Sequence, residues 1–145
     1  MERKLTKLVL LLTVCALLAN GVVWAQAVSE ARGIIKDNEG NPLQGVQIVF
    51  RNTASDQAVY ETRTNKKGRF YIDNLLYYQN QEGRWLVTVE FDGYVATSLE
   101  FNSRTQVRLV DKFTKNLGPG VQIPPLNIRP LGEAELNFVM TPEDQ

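Results

Sequence analysis

Short runs in which every second residue is apolar recur along the chain from residue 30 onward, separated by Gly, Asn, Asp and Pro. Alternation with a period of two puts the apolar side chains on one face of an extended strand. Val46, Ile48 and Phe50 show this most clearly, because their neighbours are mostly polar. The pattern predicts half-buried strands joined by turns, and no helix after the first 27 residues.

The sequence predicts seven or eight such strands. Residues 59–64 have no apolar face and are expected to form an edge strand or an outward-facing strand. Trp85, Val87, Val89 and Phe91 form the strongest alternating run, and burial of each is worth about 1.5–3 kcal/mol, so this strand is expected to be central. The other predicted strands are residues 31–35, 70–72, 97–101, 106–110 and 135–140, the last with Leu136, Phe138 and Met140 on one face.

Five positions are predicted to serve the turns: Gly40, Pro42, Gly45, Gly68 and Gly93. Glycine permits backbone conformations that a side chain would strain, and proline fixes φ at the entry to a strand. Gly68 closes a tight hairpin turn and is expected to have positive φ. These residues are interpreted as folding positions.

A proline-rich loop is predicted at residues 112–132. Gly118, Pro119 and Gly120, followed by three more prolines, make regular strand pairing difficult there. We expect an ordered loop that crosses to the last strand, with a short edge strand at residues 126–128.

The N-terminal 27 residues have the pattern of a signal peptide. Arg3, Lys4 and Lys7 precede an apolar run over residues 8–25, and the small residues Ala25 and Ala27 provide a cleavage site. Cleavage would leave a chain that begins near Gln26 or Val28. The alternatives are an uncleaved membrane anchor, or lipidation of Cys15, for which the preceding Val14 is a poor fit.

One domain is predicted for residues 28–145, a length that fits a single core. Of 16 basic and 16 acidic residues, three basic ones and one acid lie in the predicted leader, so the remainder has a net charge of −2. This balance does not favour nucleic acid or an anionic membrane as a partner. The chain has no histidine and its one cysteine is Cys15, which argues against most metal sites, thiol chemistry and imidazole catalysis.

Several motifs stand in one order: Gly33-Ile34-Ile35-Lys36-Asp37, Gly40-Asn41-Pro42-Leu43-Gln44-Gly45-Val46, Thr64 with Gly68-Arg69-Phe70, Asn74-Leu75 and Gly93-Tyr94. Together they resemble the carboxypeptidase regulatory-like family over residues 31–101. The resemblance implies an all-β, transthyretin-like (prealbumin-like) β-sandwich with antiparallel strands. It implies a fold much more than an activity, because such modules accompany peptidases, surface receptors and polysaccharide-handling proteins.

Compared with that family, this chain carries an insertion at residues 76–84. Its Tyr77, Tyr78 and Gln79, with Trp85 beside them, place aromatic rings next to amides, as sugar recognition often requires. The alternative is that the rings cover the end of the sandwich and the amides are solvated.

Three other clusters have simpler interpretations. Asp37, Asn38, Glu39 and Asn41 do not have the spacing of a calcium loop and are explained by a turn. The acids Asp73, Glu82, Glu90 and Asp92 do not predict a hydrolase, since Asp73 and Asp92 are interpreted as turn residues and Glu90 faces outward. Lys66, Lys67 and Arg69 are interpreted as a solvated hairpin tip.

The sequence therefore predicts an exported, non-catalytic module, periplasmic or secreted, with no catalytic residues, cofactor or metal. As a structural or adaptor protein it would bind a protein partner at the cell envelope or outside the cell. The alternative is a carbohydrate-binding module that takes an extracellular polysaccharide on the aromatic loop at residues 77–85, and a hydrolase is the weakest hypothesis. Contact with a membrane is expected only through the leader.

Overall fold

The computed structural model describes residues 28–54, 59–76, 84–118 and 121–144. The predicted leader and its cleavage site lie outside these ranges. The described residues form eight strands: β1 (Val28–Asp37), β2 (Gln47–Asn52), β3 (Val59–Arg63), β4 (Arg69–Leu76), β5 (Trp85–Glu90), β6 (Tyr94–Arg104), β7 (Leu109–Asn116) and β8 (Glu133–Pro142). Within the same ranges, no helix is long and apolar enough to cross a bilayer.

The strands form two sheets that pack face to face. One sheet has five strands in the order β4-β1-β8-β6-β7, and the other has three in the order β3-β2-β5. The predicted all-β sandwich is therefore confirmed. The strands pair antiparallel with one exception, because β1 and β8 run parallel.

The core lies between the two sheets and follows the predicted alternation. The three-stranded sheet contributes Ile48, Phe50, Trp85 and Val87, all buried. The five-stranded sheet contributes the other half, and its largest buried residues are Ile35, Phe70, Ile72, Leu75, Leu99, Phe101, Leu136, Phe138 and Met140. Each such side chain adds about 1.5–3 kcal/mol when it is fully buried, so this layer is the main source of stability.

The glycines that were predicted to serve turns have the backbone that only glycine adopts readily. Gly40, Gly45, Gly68 and Gly93 have φ between 69° and 89°. At Gly68 a side chain would also meet the carbonyl oxygen of Ile35. Pro42 makes an isolated bridge to Lys36 at the start of the β1–β2 connection.

The strand at Trp85 is not central, contrary to the prediction. β5 is an edge strand and β2 is the centre of the smaller sheet. Its strong apolar pattern reflects its buried inner face and a covered edge, since the backbones of Trp85 and Leu126 exchange two hydrogen bonds of 2.9 and 2.8 Å. The edge strand predicted at residues 126–128 is reduced to this single bridge.

The strand predicted at residues 106–110 is also misplaced. A turn closed by the Thr105 N–H and the Arg108 carbonyl occupies these residues, and β7 begins only at Leu109. Because β7 continues to Asn116, the boundary of the proline-rich loop at residue 112 was wrong and the loop starts after the strand. Val107 is 89 % exposed, so the alternation there did not mark a buried face.

Candidate functional site

The aromatic residues predicted beside the inserted loop do not form one surface. Tyr77, Tyr78 and Gln79 lie outside the described residues. Trp85 is fully buried, and its ring packs edge-on against Tyr60 with 5.8 Å between the ring centroids. A ligand cannot stack on a side chain that has no exposed surface, so the prediction of Trp85 as a binding residue was wrong.

The acidic segment after β1 is a hydrogen-bonded turn. One carboxylate oxygen of Asp37 accepts the N–H groups of Glu39 and Asn41 at 2.9 and 2.8 Å, and the other accepts the Asn41 side-chain amide at 3.1 Å. Partial desolvation by itself would raise the pKa of Asp37. The hydrogen bonds from Asn41, Glu39 and Gly40 outweigh it and hold this pKa below its ordinary value.

The other acids considered for hydrolysis are not gathered into one site. Asp73 lies within β4 of the larger sheet and not in a turn, which corrects the sequence interpretation. Glu90 ends β5 of the smaller sheet, Asp92 follows in a turn, and Glu82 lies outside the described residues. Among the described residues, no group of three potential metal ligands is present.

Three arginines from three strands line one groove, which lies on the outer side of the larger sheet and extends past its β4 edge to β3 of the smaller sheet. Arg32 belongs to β1, Arg63 to β3 and Arg69 to β4, and the groove has a volume of about 690 Å³. We call it the arginine groove; its other lining residues include Tyr71, Asn65, Glu135 and Asn137. Arg69, predicted as part of a hairpin tip, thus faces a concave surface.

Strand register brings the centre of the groove together. Arg32 lies opposite Tyr71 on β4 and beside Glu135 on β8, while Arg69 lies opposite Ile34. Outward-facing positions on neighbouring strands are about 5 Å apart, so these side chains are in reach of one another.

The wall of the groove on β8 is fixed by a chain of hydrogen bonds. The Ile34 N–H donates to Asn137 Oδ1 at 3.1 Å, and Asn137 Nδ2 donates to Glu135 Oε1 at 3.2 Å. Glu135 is the one acid that lines the groove, and it is therefore already engaged. The two contacts orient the Asn137 amide. Positive charge dominates the groove because three arginines and one acid line it.

Hydrogen bonds also hold Arg63 and Tyr71, which line other parts of the groove. Arg63 donates to the Gly45 carbonyl at 3.3 Å and to Gln47 Oε1 at 3.4 Å. The Tyr71 hydroxyl donates to Glu30 at 2.9 Å, and this hydrogen bond raises the pKa of Tyr71. Since the Tyr71 side chain is anchored at its hydroxyl yet 53 % exposed, its ring is a rigid part of the surface.

Sequence reasoning missed Arg32, Arg63, Tyr71 and Asn137. They come from four strands, and they are brought together by the pairing of β1 with β4 and β8 and by the packing of β3 beside β4. The signal that could have pointed to them is alternation, since Arg32 and Tyr71 both occupy outward positions on strands with a buried opposite face.

Solved structures with some similarity to this chain are dioxygenases. One is 3-chlorocatechol 1,2-dioxygenase from Rhodococcus opacus 1CP, with 13 % identity over 83 % of this chain and 62 % of that chain and a TM-score of 0.47. Another is hydroxyquinol 1,2-dioxygenase from Pseudomonas putida DLL-E4, with 12 % identity over 83 % and 58 % and a TM-score of 0.44. This chain therefore spans about three fifths of the length of these two enzymes.

A third similar structure is the dioxygenase domain of a dioxygenase carbohydrate-binding protein fusion from the cellulolytic bacterium Streptomyces sp. SirexAA-E. It shares 15 % identity over 81 % of this chain and 82 % of that chain, with a TM-score of 0.45. At these scores the similarities say nothing about the activity of this chain. No curated protein sequence matched it.

A family model gives a clear result. The model of the carboxypeptidase regulatory-like domain matches residues 30–123, which is more than half of the chain. The match begins in β1 and extends past β7, so it covers more than the 31–101 region in which the resemblance was recognised. With its two packed sheets and this match, the chain belongs to the carboxypeptidase regulatory-like domain family, whose fold is a prealbumin-like sandwich.

Proposed function

We propose that this chain is an exported, non-catalytic binding module, and that it acts as a structural or adaptor protein by holding an acidic segment of a protein partner in the arginine groove. The partner belongs to the cell envelope or the extracellular space. The observation that carries the proposal is the charge of the groove, which is lined by three arginines and by a single acid, Glu135.

The composition of the groove supports a protein partner. Arginine and tyrosine are the residues that most often dominate the energy of protein interfaces, and both are exposed here. A guanidinium binds a carboxylate through two parallel hydrogen bonds, which suits Asp and Glu side chains of a partner. The groove is open along its length and crosses β8, β1, β4 and β3, so an extended segment fits it better than a small enclosed ligand.

Rigidity of the groove also supports binding. Asn137, Arg63 and Tyr71 are each anchored by a hydrogen bond to a neighbouring strand or turn. Side chains that are already fixed lose less conformational entropy when a partner docks. The absence of histidine and the position of Cys15 in the predicted leader support a role without catalysis.

The test is co-purification from the envelope and extracellular fractions of the cells that make the protein. We expect a partner that is recovered with the wild type and lost with Arg32→Ala/Arg69→Ala, and whose recovery falls as salt is raised. Arg51→Ala is the matched control, because Arg51 is exposed on the smaller sheet and does not line the groove. Equal recovery with all three proteins would reject the groove as the binding site.

A second candidate function is carbohydrate binding. The exposed ring of Tyr71 beside Arg32 favours it, because a flat ring next to polar groups suits a sugar. Tyr77, Tyr78 and Gln79 stay candidates for this role, without Trp85. Migration through gels that contain polysaccharide tests it: retardation that is lost in Tyr71→Ala supports the groove, and loss only in Tyr77→Ala/Tyr78→Ala supports the loop.

A further inference from the structure

A second concave surface lies at one end of the larger sheet. The start of β1, the β6–β7 turn and residues 129–133 before β8 surround it, and its volume is about 1520 Å³. We call it the end surface. It shares no lining residue with the arginine groove.

The end surface concentrates exposed apolar side chains. Val28, Val107, Leu109 and Leu131 line it, and they are half of the large apolar residues that are exposed among the described residues. Single exposed apolar residues are ordinary on a protein surface, but several on one concave surface mark an interaction site.

Leu131 is held in an unfavourable backbone conformation on this surface. Its φ is 59°, and it is the one residue other than glycine with positive φ in the described part of the chain. Its N–H donates to the Val28 carbonyl, and the next N–H, of Gly132, donates to the Arg129 carbonyl at 2.9 Å. The backbone is thus fixed although the Leu131 side chain is 71 % exposed and buries little apolar area within the chain.

Charged residues cross the same surface in a polarised row. Strand order places Asp73 on β4, Glu30 on β1 and Glu133 on β8, and Arg104 on β6 follows, with Arg108 in the adjoining turn. Glu30 is opposite Glu133, and Glu133 is opposite Arg104. The acids of the row therefore lie on β4, β1 and β8, and its arginines lie on β6 and in the adjoining turn, while Arg129 lines the surface before β8.

This row is incompletely neutralised within one chain. Arg104 and Glu133 form the one ion pair among the described residues, and the hydrogen bond from Arg104 lowers the pKa of Glu133. Asp73, Arg108 and Arg129 have no ion-pair partner in the part of the chain that the structure describes. Glu30 lies opposite Glu133 on the neighbouring strand, and a hydrogen bond between their side chains also helps to lower the pKa of Glu133.

We propose that the end surface is the interface of a symmetric homodimer. A two-fold axis near the middle of the row turns one copy by half a rotation, so the acids of each copy face the arginines of the other. Asp73 and Arg104 are three strands apart, about 14 Å, so the two halves are far enough apart for both sets of pairs to form at once. Val28 and Leu131, which lie beside the row at the end of the sheet, then lose their exposure to water.

Dimerisation does not depend on the proposed function and adds to it. The arginine groove and the end surface have separate linings and adjoin at the hydrogen bond from the Tyr71 hydroxyl to Glu30, so each copy in a dimer carries its own groove. Two grooves on one particle increase the apparent affinity for a partner that presents repeated acidic segments. A dimer could form without any groove ligand, and a groove could bind without a dimer, so the two ideas fail separately.

The test is sedimentation equilibrium of the protein expressed from the full chain and purified as the cell processes it. At about 100 µM we expect twice the mass of the chain. Asp73→Arg and Arg108→Glu should each weaken association by about tenfold or more, because each places like charges across the interface. The double variant Asp73→Arg/Arg108→Glu should regain most of the lost association, because the swapped charges pair again.

Two control variants separate the interface from general charge effects. Glu143→Arg and Lys36→Glu change exposed residues that do not line the end surface, and both should dimerise like the wild type. Circular dichroism and the thermal midpoint verify that every variant is folded. A wild type with the mass of one chain, a dimer unaffected by either single reversal, or a double variant weaker than both single variants would overturn the proposal.

Discussion

The carbonyl oxygen of Leu136 on β8 occupies the position where a side chain on Gly33 of β1 would begin. The ring of Phe70 lies 2.7 Å from the same position. β1 and β8 are the parallel pair at the middle of the larger sheet, so this contact sets how closely the two strands approach. Gly33 is therefore required by its neighbours and not by its own backbone angles.

Gly33→Ala should destabilise the protein by about 3 kcal/mol, because an overpacked contact with backbone is relieved only by moving a strand. Urea unfolding measures the change. Gly118→Ala is the control, since an added methyl group meets no atom within 4 Å there and φ is not positive. The control should change the free energy of unfolding little or raise it slightly. Equal effects of the two substitutions would contradict the account of Gly33.

Thr64 joins the first turn to the start of the smaller sheet through its buried hydroxyl. That oxygen accepts the Val46 N–H at 2.9 Å and donates to the Leu43 carbonyl at 2.6 Å. Thr64→Val keeps the shape but leaves both backbone groups unsatisfied, so we expect a loss of about 2 kcal/mol. Thr64→Ser keeps the hydroxyl and should lose about 1 kcal/mol or less in the same denaturant titration. A serine variant as unstable as the valine variant would show that the methyl group matters more.

Much of the core could be predicted from alternation alone. Val46, Ile48 and Phe50 were predicted on one inner face and are all buried. Alternation identifies the buried face of a strand, but it does not identify the neighbours of that strand, which is why β5 was placed at the centre. Alternation also failed to mark a buried face at Val107 and Leu109, because the same pattern arises where alternating apolar side chains are exposed on the surface.

The candidate site could not be predicted in the same way. The arginine groove exists because β1 pairs with β4 on one side and with β8 on the other. Arg32 and Glu135 are about a hundred positions apart, and nothing local to either residue indicates that they are neighbours. Trp85 was misassigned because the local sequence does not show burial. An aromatic residue next to a loop looks the same in the sequence whether its ring is buried or exposed.

Trp85 should behave as a core residue in solution. Trp85→Ala removes a fully buried ring and should lower the free energy of unfolding by about 3–5 kcal/mol. Leu86→Ala, on the outer face of the same strand and 39 % exposed, should cost less than about 1 kcal/mol. Thermal unfolding of the two variants and of the wild type measures these losses of stability. If Trp85→Ala instead left stability unchanged and abolished retention on a polysaccharide, the ring would have a binding role after all.

Asp37 should make the protein more stable at neutral than at acidic pH. Its pKa is lowered in the folded state by the hydrogen bonds of the turn, so the folded state favours the charged form. This contribution is fully present above the pKa of an unfolded Asp, about 3.9, and is lost as pH falls through the lower folded value. Asp37→Asn cannot titrate, so the difference between its urea midpoints at about pH 7 and about pH 3 should be smaller than in the wild type. The same difference in both proteins would mean that the turn does not stabilise the carboxylate.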